Sequence, residues 1–176
     1  MSDVADDQVI EETTIRLTVN GSVERRHVAP RDTLLDFLRQ TLQLTGTHAG
    51  CEMGACGACL MLLNDEVVHG CLMFAVQADG ARVETIEGLA ERGVIADLQK
   101  AFHKRNALQC GFCTPGMLMT AYSLLRQQRN PDRTEIRDAL SGNFCRCTGY
   151  EAIVDAIASV AAARASTAPR SDKEGA

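Results

Sequence analysis

Eight cysteines are the residues of this sequence whose type and spacing point most directly to chemistry. They fall into two groups of four, one between positions 51 and 71 and the other between positions 110 and 147. Cysteine thiolates bind soft metals, or form disulfides where the compartment is oxidising. The acidic first twelve residues contain no apolar segment of the kind that directs secretion, so we expect a cytoplasmic protein with reduced thiols. Metal binding is therefore the expected chemistry.

The first group has the sequence CEMGACGAC at 51–59, followed by Cys71. Cys51, Cys56 and Cys59 with Cys71 have the C-x4-C-x2-C…C spacing of plant-type [2Fe–2S] ferredoxins. Glycines beside these cysteines allow the loop to wrap around a flat cluster, and they let backbone N–H groups approach its sulfur atoms. A structural zinc site usually takes its ligands in two close pairs, which this spacing matches poorly. A [2Fe–2S] cluster is therefore predicted here.

The second group consists of Cys110 with Cys113, and of Cys145 with Cys147. Each pair comes just before a predicted helix, so the helix dipoles would offset part of the negative charge of four thiolates. The spacing alone leaves three interpretations open: a second iron–sulfur cluster, a structural zinc ion, or a redox-active thiol pair.

The part of the chain that contains the first group is predicted to be a small mixed sheet packed on one helix. Alternating apolar residues predict strands, Asn20-Gly21 is a strong hairpin signal, and Asp32 or Thr33 is a suitable helix cap. The predicted strands lie at 15–19, 23–28, 58–63, 67–73 and 82–86, and the predicted helix lies at 34–42. The order of these elements suggests a β-grasp in which a strand carries Cys71.

In the second part of the chain the alternation stops and helical patterns take over. Helices are predicted at 93–105, 115–129, 132–140 and 150–165. Pro115 suits a first helical turn, where its missing N–H is not needed. The chain is thus predicted to be α+β, with a β-grasp domain at 13–88 and an all-α four-helix domain at 89–165. The polar segments 1–12 and 166–176 are predicted to be disordered.

The charge and hydropathy patterns argue against several kinds of partner. The net charge is −5 with a pI of about 5.4, and no basic patch of the kind that binds nucleic acid is present. No run of 18 apolar residues occurs, so no membrane span is expected. Zinc-protease and phosphate-loop motifs are also missing from the sequence, so we expect the chain to make no bond to a substrate itself.

Four segments are similar to those of the iron–sulfur part of molybdenum hydroxylases, the family of xanthine dehydrogenase, aldehyde oxidoreductase and carbon monoxide dehydrogenase. They are CEMGACGAC at 51–59, TIEGL at 85–89, QCGFCTPG at 109–116 and GNFCRCTGY at 142–150. The resemblance extends over about residues 14–164, with the motifs in the same order and every cysteine in place. It implies a small iron–sulfur subunit with a ferredoxin-type domain and a helical domain, each carrying one [2Fe–2S] cluster.

The resemblance also implies roles for individual residues. The ligands of the second cluster would be Cys110, Cys113, Cys145 and Cys147. Gln109 matches the family's glutamine that contacts the pterin of molybdopterin, and its amide can both donate and accept hydrogen bonds. A glutamine that bonds only to local backbone is the alternative for Gln109.

Members of this family work in complexes, and the resemblance implies the same here. A large subunit would bind molybdopterin, often as its cytosine dinucleotide, and a medium subunit would bind FAD, commonly in a dimer of heterotrimers. Electrons would pass from the molybdopterin centre through the second and then the first cluster to FAD. The complex would hydroxylate a nitrogen heterocycle, or oxidise carbon monoxide or an aldehyde, with substrate selection in the large subunit. A stand-alone ferredoxin-type electron carrier is the alternative interpretation.

Overall fold

The first half of the protein is a five-stranded mixed sheet in the computed structural model, which describes residues 12–167. The strands are β1 (Thr13–Val19), β2 (Ser22–Val28), β3 (Leu60–Leu63), β4 (Glu66–His69) and β5 (Arg82–Glu84). Their order is β2-β1-β5-β3-β4; β1 and β5 are parallel, and the other neighbouring strands are antiparallel. A central parallel pair with a helix against the sheet is the arrangement expected of a β-grasp, and the predicted α+β class is confirmed.

β1 and β2 form the predicted hairpin through a two-residue turn. Asn20 and Gly21 adopt φ values of 50° and 87°, and Val19 pairs with Ser22 across the turn. Positive φ at both central positions matches the twist of the flanking strands, which is why Asn-Gly favours this turn. The side-chain oxygen of Asn20 also accepts a hydrogen bond from Thr85 N–H at 2.9 Å, so the turn is tied to the chain after β5.

One helical segment packs against the sheet and contributes to its core. It begins as α1 (Leu34–Asp36) after Thr33, whose hydroxyl accepts a hydrogen bond from Asp36 N–H at 3.0 Å. It continues as a π-helical turn, Phe37–Thr41. The helix predicted at 34–42 is therefore present, but its second half is wider than an α-helix. The buried side chains of this segment are Leu34, Leu35, Phe37 and Leu38.

β3 lies between two hydrophobic cores, and its alternating side chains divide between them. Met61 is buried in the core beneath α1, whereas Leu60 and Leu62 are buried among the helices of the second half. Successive side chains of a strand point to opposite faces, so an entirely apolar strand indicates that both faces are covered. The two halves of the chain therefore pack against opposite faces of the same strand.

The predicted position of Cys71 on a strand is wrong. The prediction extended this strand to residue 73, but β4 ends at His69 and Cys71 lies in a 3-10 turn, Gly70–Leu72. The turn has glycine at its first position, where a Cβ atom would lie 2.1 Å from Met61 Cε and would displace that buried side chain. Cys71 is therefore held by a tight turn that packs against β3.

The last strand also ends earlier than predicted. β5 stops at Glu84, and a short helix, α2 (Ile86–Glu91), begins two residues later and spans the predicted domain boundary. In the first turn of α2, Glu87 accepts hydrogen bonds from the Thr85 hydroxyl at 2.6 Å and from Gly46 N–H at 2.7 Å. Glu87 thus ties α2 to the loop that carries the first cysteines.

Further helices make up the second half of the protein. They are α3 (Ala96–Lys104), α4 (Thr114–Gln127), α5 (Arg133–Ala139) and α6 (Glu151–Thr167). Pro115 occupies the first turn of α4, as predicted, and Asp132 caps α5. Arg164 on α6 donates to both carboxylate oxygens of Asp97 on α3, at 2.7 and 2.8 Å. Counting α2, the described residues of this half form five helices, one more than predicted.

The two predicted disordered segments fall mostly outside the described residues. Residues 1–11 and 168–176 lie outside the described residues. Helix α6 extends two residues into the segment 166–176, which was predicted to be disordered. Between residues 12 and 167, no helix is both long enough and apolar enough to cross a membrane.

Replacing Leu62 with alanine tests whether β3 couples the two halves. Leu62 is 1% exposed, and shortening it should lower the free energy of unfolding by about 2–5 kcal/mol. Urea unfolding followed by circular dichroism measures this loss. Val23→Ala on β2 is the control, because Val23 is 59% exposed and the change should cost less than about 1 kcal/mol. An equal loss of unfolding free energy in the two variants would contradict the packing of β3 between the two halves.

Candidate metal centres

The first group of cysteines lies where the loop after α1 meets the turn after β4. Cys59 Sγ lies 3.4 Å from Cys71 Sγ. Cys56 is close enough to Cys51 to help lower the pKa of the Cys51 thiol. Cys56 is also close enough to Cys59 to influence the pKa of its thiol. The structure thus brings the four predicted ligands together, with Cys59 and Cys71 as a close thiol pair.

Glycines allow the loop to curve around this group, as predicted. Gly54 and Gly57 have φ values of +77° and +70°, which side chains rarely tolerate. A Cβ atom on Gly50 would lie 2.9 Å from Cys56 Sγ. The cradle around the thiols therefore depends on residues without side chains.

Backbone donors and burial act in opposite directions on the thiols of the first group. The N–H groups of Met53 and Ala55 lie 3.5 and 3.2 Å from Cys51 Sγ. Led by Met53, they lower the pKa of the Cys51 thiol to about 7 and so favour the thiolate. Burial, with the Cys71 side chain beside it, raises the pKa of the Cys59 thiol to about 12. Burial therefore disfavours the Cys59 thiolate, and a bound cation would offset that effect.

The second group lies between the starts of two helices, as predicted. Cys110 Sγ lies 3.5 Å from Cys147 Sγ, and Cys145 is close enough to Cys113 to influence the pKa of its thiol. Cys113 immediately precedes α4, and the other loop leads into α6. Burial, with Cys145 beside it, raises the pKa of the Cys113 thiol to about 12. Each loop thus contributes two cysteines to this group, and Cys110 and Cys147 form a close thiol pair across the two loops.

The grouping in pairs fits a binuclear iron–sulfur cluster, in which each of two irons takes two thiolates. Two sulfur atoms on one tetrahedral metal with bonds of about 2.3 Å lie roughly 3.8 Å apart. The observed separations of 3.4 and 3.5 Å are within a few tenths of an ångström of that value. Among residues 12–167, no three His, Cys, Asp or Glu side chains are arranged to hold a single metal ion.

Two threonines beside the second group also fit a sulfur-rich ligand. Thr114 follows Cys113, and its buried hydroxyl has no hydrogen-bond partner among the described residues. Buried hydroxyls are usually paired, so this donor is suited to a sulfur acceptor at the site. The Thr148 hydroxyl lies 3.2 Å from Cys145 Sγ. The sequence analysis missed both threonines, although a hydroxyl within three residues of a cysteine was an available signal.

The second group stands nearer to the surface than the first. Gln109, Cys110 and Cys147 are exposed, whereas Cys59 and Cys71 are buried. Gln109 thus lies at the exposed edge of the second group, beside one of its thiols in the chain. The exposed aromatic residues of the same loops are Phe112 and Phe144.

Comparison with known families accounts for both halves of the chain. Residues 17–90 match the family described as "2Fe-2S iron-sulfur cluster binding domain". Residues 85–158 match the family described as "[2Fe-2S] binding domain". The protein is thus an iron–sulfur protein with two [2Fe–2S]-binding domains in one chain.

Individual relatives are similar over most of their length. The chain is 52% identical over 149 residues to caffeine dehydrogenase subunit gamma of Pseudomonas sp. (strain CBB1), covering 83% of this chain and 89% of the relative. It is 40% identical over 149 residues to the xanthine dehydrogenase iron-sulfur-binding subunit of Escherichia coli O157:H7, covering 84% and 93%. A chain in the crystal structure of quinoline 2-oxidoreductase from Pseudomonas putida 86 matches with a TM-score of 0.83 and 47% identity, covering 89% and 98%.

This chain belongs to the iron–sulfur small subunits of the molybdenum hydroxylase, or xanthine dehydrogenase, family. It is an electron-transfer component of an oxidoreductase, as the resemblance in the sequence implied.

Replacing one cysteine should affect one metal site only. In Cys147→Ala we expect loss of the EPR signal of the second reduced cluster and retention of the first, because Cys147 contacts the second group alone. Cys71→Ala is the matched variant and should give the reverse pattern. EPR spectra of the dithionite-reduced protein measure both signals. If Cys147→Ala lost both signals while keeping its circular dichroism spectrum, the two sites would not be independent.

Proposed function

We propose that this chain relays electrons through two [2Fe–2S] clusters as the small subunit of a heteromeric molybdenum hydroxylase. The proposed ligands of the first cluster are Cys51, Cys56, Cys59 and Cys71. Those of the second are Cys110, Cys113, Cys145 and Cys147. The observation that carries the proposal is the close approach of thiols within each group, of Cys59 to Cys71 and of Cys110 to Cys147. When bound, each cluster exchanges one electron at a time.

The residues around the thiols are suited to hold negative charge. At the first site, the N–H groups of Met53 and Ala55 direct the positive ends of their dipoles at Cys51 Sγ. At the second site, the start of α4 directs its positive dipole end toward Cys113. The contribution of this chain is therefore ligation, burial and charge stabilisation, with no acid–base step on a substrate.

Two partner subunits are part of the proposal. A large subunit with molybdopterin, as its cytosine dinucleotide, would cover the exposed edge at Gln109, with the amide of Gln109 against the pterin. A medium subunit with FAD would lie nearer the first site. The proposed order of the relay is therefore the molybdopterin centre, the second site, the first site and FAD.

The proposed assembly is a dimer of heterotrimers in the cytoplasm. Two relatives are themselves named as subunits, which supports a heteromeric complex. Eight free cysteines suit a compartment in which thiols stay reduced.

A nitrogen heterocycle is the proposed substrate class. Caffeine, xanthine and quinoline, from the names of three relatives, are all nitrogen heterocycles. The substrate would bind in the large subunit, so this part of the proposal rests on the relatives rather than on residues of this chain.

Metal analysis of the complex purified from its host tests the proposed cofactors. We expect four irons and four acid-labile sulfides per chain, because each of two [2Fe–2S] sites takes two of each. Two irons with one zinc would contradict the second site. A chain that purifies without partners but with its full iron content would favour a stand-alone ferredoxin-type carrier.

Replacing Gln109 tests the contact with the pterin. We expect Gln109→Ala to keep both EPR signals and to lower turnover of the complex about fivefold, the effect of a hydrogen bond worth about 1 kcal/mol. Steady-state turnover and EPR of the same preparation measure the two effects. Gln99→Ala, which removes an exposed glutamine on α3, is the control and should leave turnover unchanged. Wild-type turnover in Gln109→Ala would show that Gln109 bonds only to the backbone of its own loop and makes no contact with the pterin.

A further inference from the structure

His48 contacts residues of both loops that carry cysteines. Its backbone N–H donates to Ala58 O at 3.1 Å, which fixes it within the loop that carries the first cysteines. Its imidazole stacks on the ring of Phe112, with the centroids 4.6 Å apart and the planes inclined by 19°. Phe112 stands between Cys110 and Cys113. A side chain of the first loop is therefore held against the segment that carries two thiols of the second site.

A hydrogen bond accompanies the stacking. His48 Nδ1 lies 2.7 Å from Phe112 O. A carbonyl oxygen can only accept, so His48 carries a proton on Nδ1 and donates it to this bond. The stacked rings and the directional bond act on the same residue, so together they fix both its position and its orientation.

A second contact joins the same loops elsewhere. Phe144 N–H donates to Cys56 O at 2.9 Å, and Phe144 immediately precedes Cys145. The buried side chain of Asn143 lies beside it, with Nδ2 3.5 Å from Gly57 O. A proposed ligand of the first site is thus hydrogen-bonded to the residue that precedes a ligand of the second.

This second contact is made by backbone and is closely packed. A Cβ atom on Gly57 would lie 2.6 Å from Gly142 O, and one on Gly116 would lie 2.1 Å from Gly57 O. Such approaches exclude a side chain at either position, so the loops have little freedom to shift here. The contact between His48 and Phe112 is the complementary one, because it is made by the side chain of His48 and restrains the other loop of the second site.

We infer that His48 is a positioning residue that sets the separation and orientation of the two metal sites. The inference rests on the proposed function, since it requires a cluster at each site. Replacing His48 would remove this restraint on the segment from Cys110 to Cys113, and we expect its thiols to shift relative to the first site. Electron transfer between two centres depends steeply on their separation, so a fixed separation maintains the relay.

The magnetic interaction between the two reduced clusters tests this role, because it depends on their separation and orientation. We expect His48→Ala, in the purified complex, to change the splitting of the EPR signals and to slow electron exchange between the clusters several-fold. His48→Phe keeps an aromatic ring but removes the N–H donor, so a smaller change is expected. His48→Asn places an amide N–H near the position of Nδ1 and should bring the splitting back toward that of the wild type.

The control is His103→Ala, which removes an exposed histidine on α3 and should leave the splitting unchanged. A side chain that only stabilised the fold would change the iron content or the melting temperature without altering the splitting in assembled molecules. An unchanged splitting in His48→Ala and His48→Phe, with full iron content, overturns the inference and leaves the proposed function intact.

Two further outcomes are distinguishable. If the wild-type complex contains fewer than two reducible clusters, the proposed function itself is wrong. If His48→Ala loses its second cluster, the splitting in His48→Phe decides: a changed splitting supports the inference, and an unchanged one overturns it.

Discussion

Each metal atom of a binuclear cluster needs two thiolates at a short and fixed separation, and the fold provides them in pairs. Cys59 precedes β3 and Cys71 follows β4, so the antiparallel register that pairs Leu60 with His69 brings the two thiols to the same end of the strands. In the second site, cysteines from the loops before α4 and α6 pair across the helix starts. Strand register and helix packing therefore determine which thiols meet.

Metal sites at the edges of the two cores also help to explain how a short chain supports two small halves. Small domains bury little apolar surface and often depend on metals or other cross-links for stability. Here β3 contributes side chains to both cores, and the first cysteine loop packs at Gly57 against Gly116 of α4. Ligand binding at either site would therefore stabilise the contact between the halves as well as its own loop.

Local signals made much of this arrangement predictable from the sequence. Asn20-Gly21 predicts the hairpin and Pro115 predicts the start of α4, because each residue type restricts its own backbone. The cysteine spacings predicted two groups of four, and the structure brings each group together. The prediction of a strand at Cys71 was wrong because β4 pairs with β3 only as far as His69, and the apolar pattern of residues 67–73 does not mark where that pairing ends.

The contact of His48 with Phe112 could not be predicted for the same reason, since the two residues are 64 positions apart. Neither has a spacing that marks it as a ligand, and only the approach of the two loops gives them a shared role. Tertiary contacts of this kind decide how the two sites are placed relative to each other, whereas the sequence motifs determine only which residues each site contains.

Anomalous diffraction from crystals of the assembled complex, recorded at the iron absorption edge, tests the central claim most directly because it locates the metal atoms and identifies the element. We expect two pairs of iron peaks in this chain, one between the thiol pairs of the first group and one between those of the second. A single peak within either group, or a peak that is strong at the zinc edge instead, would contradict the assignment of two binuclear iron centres.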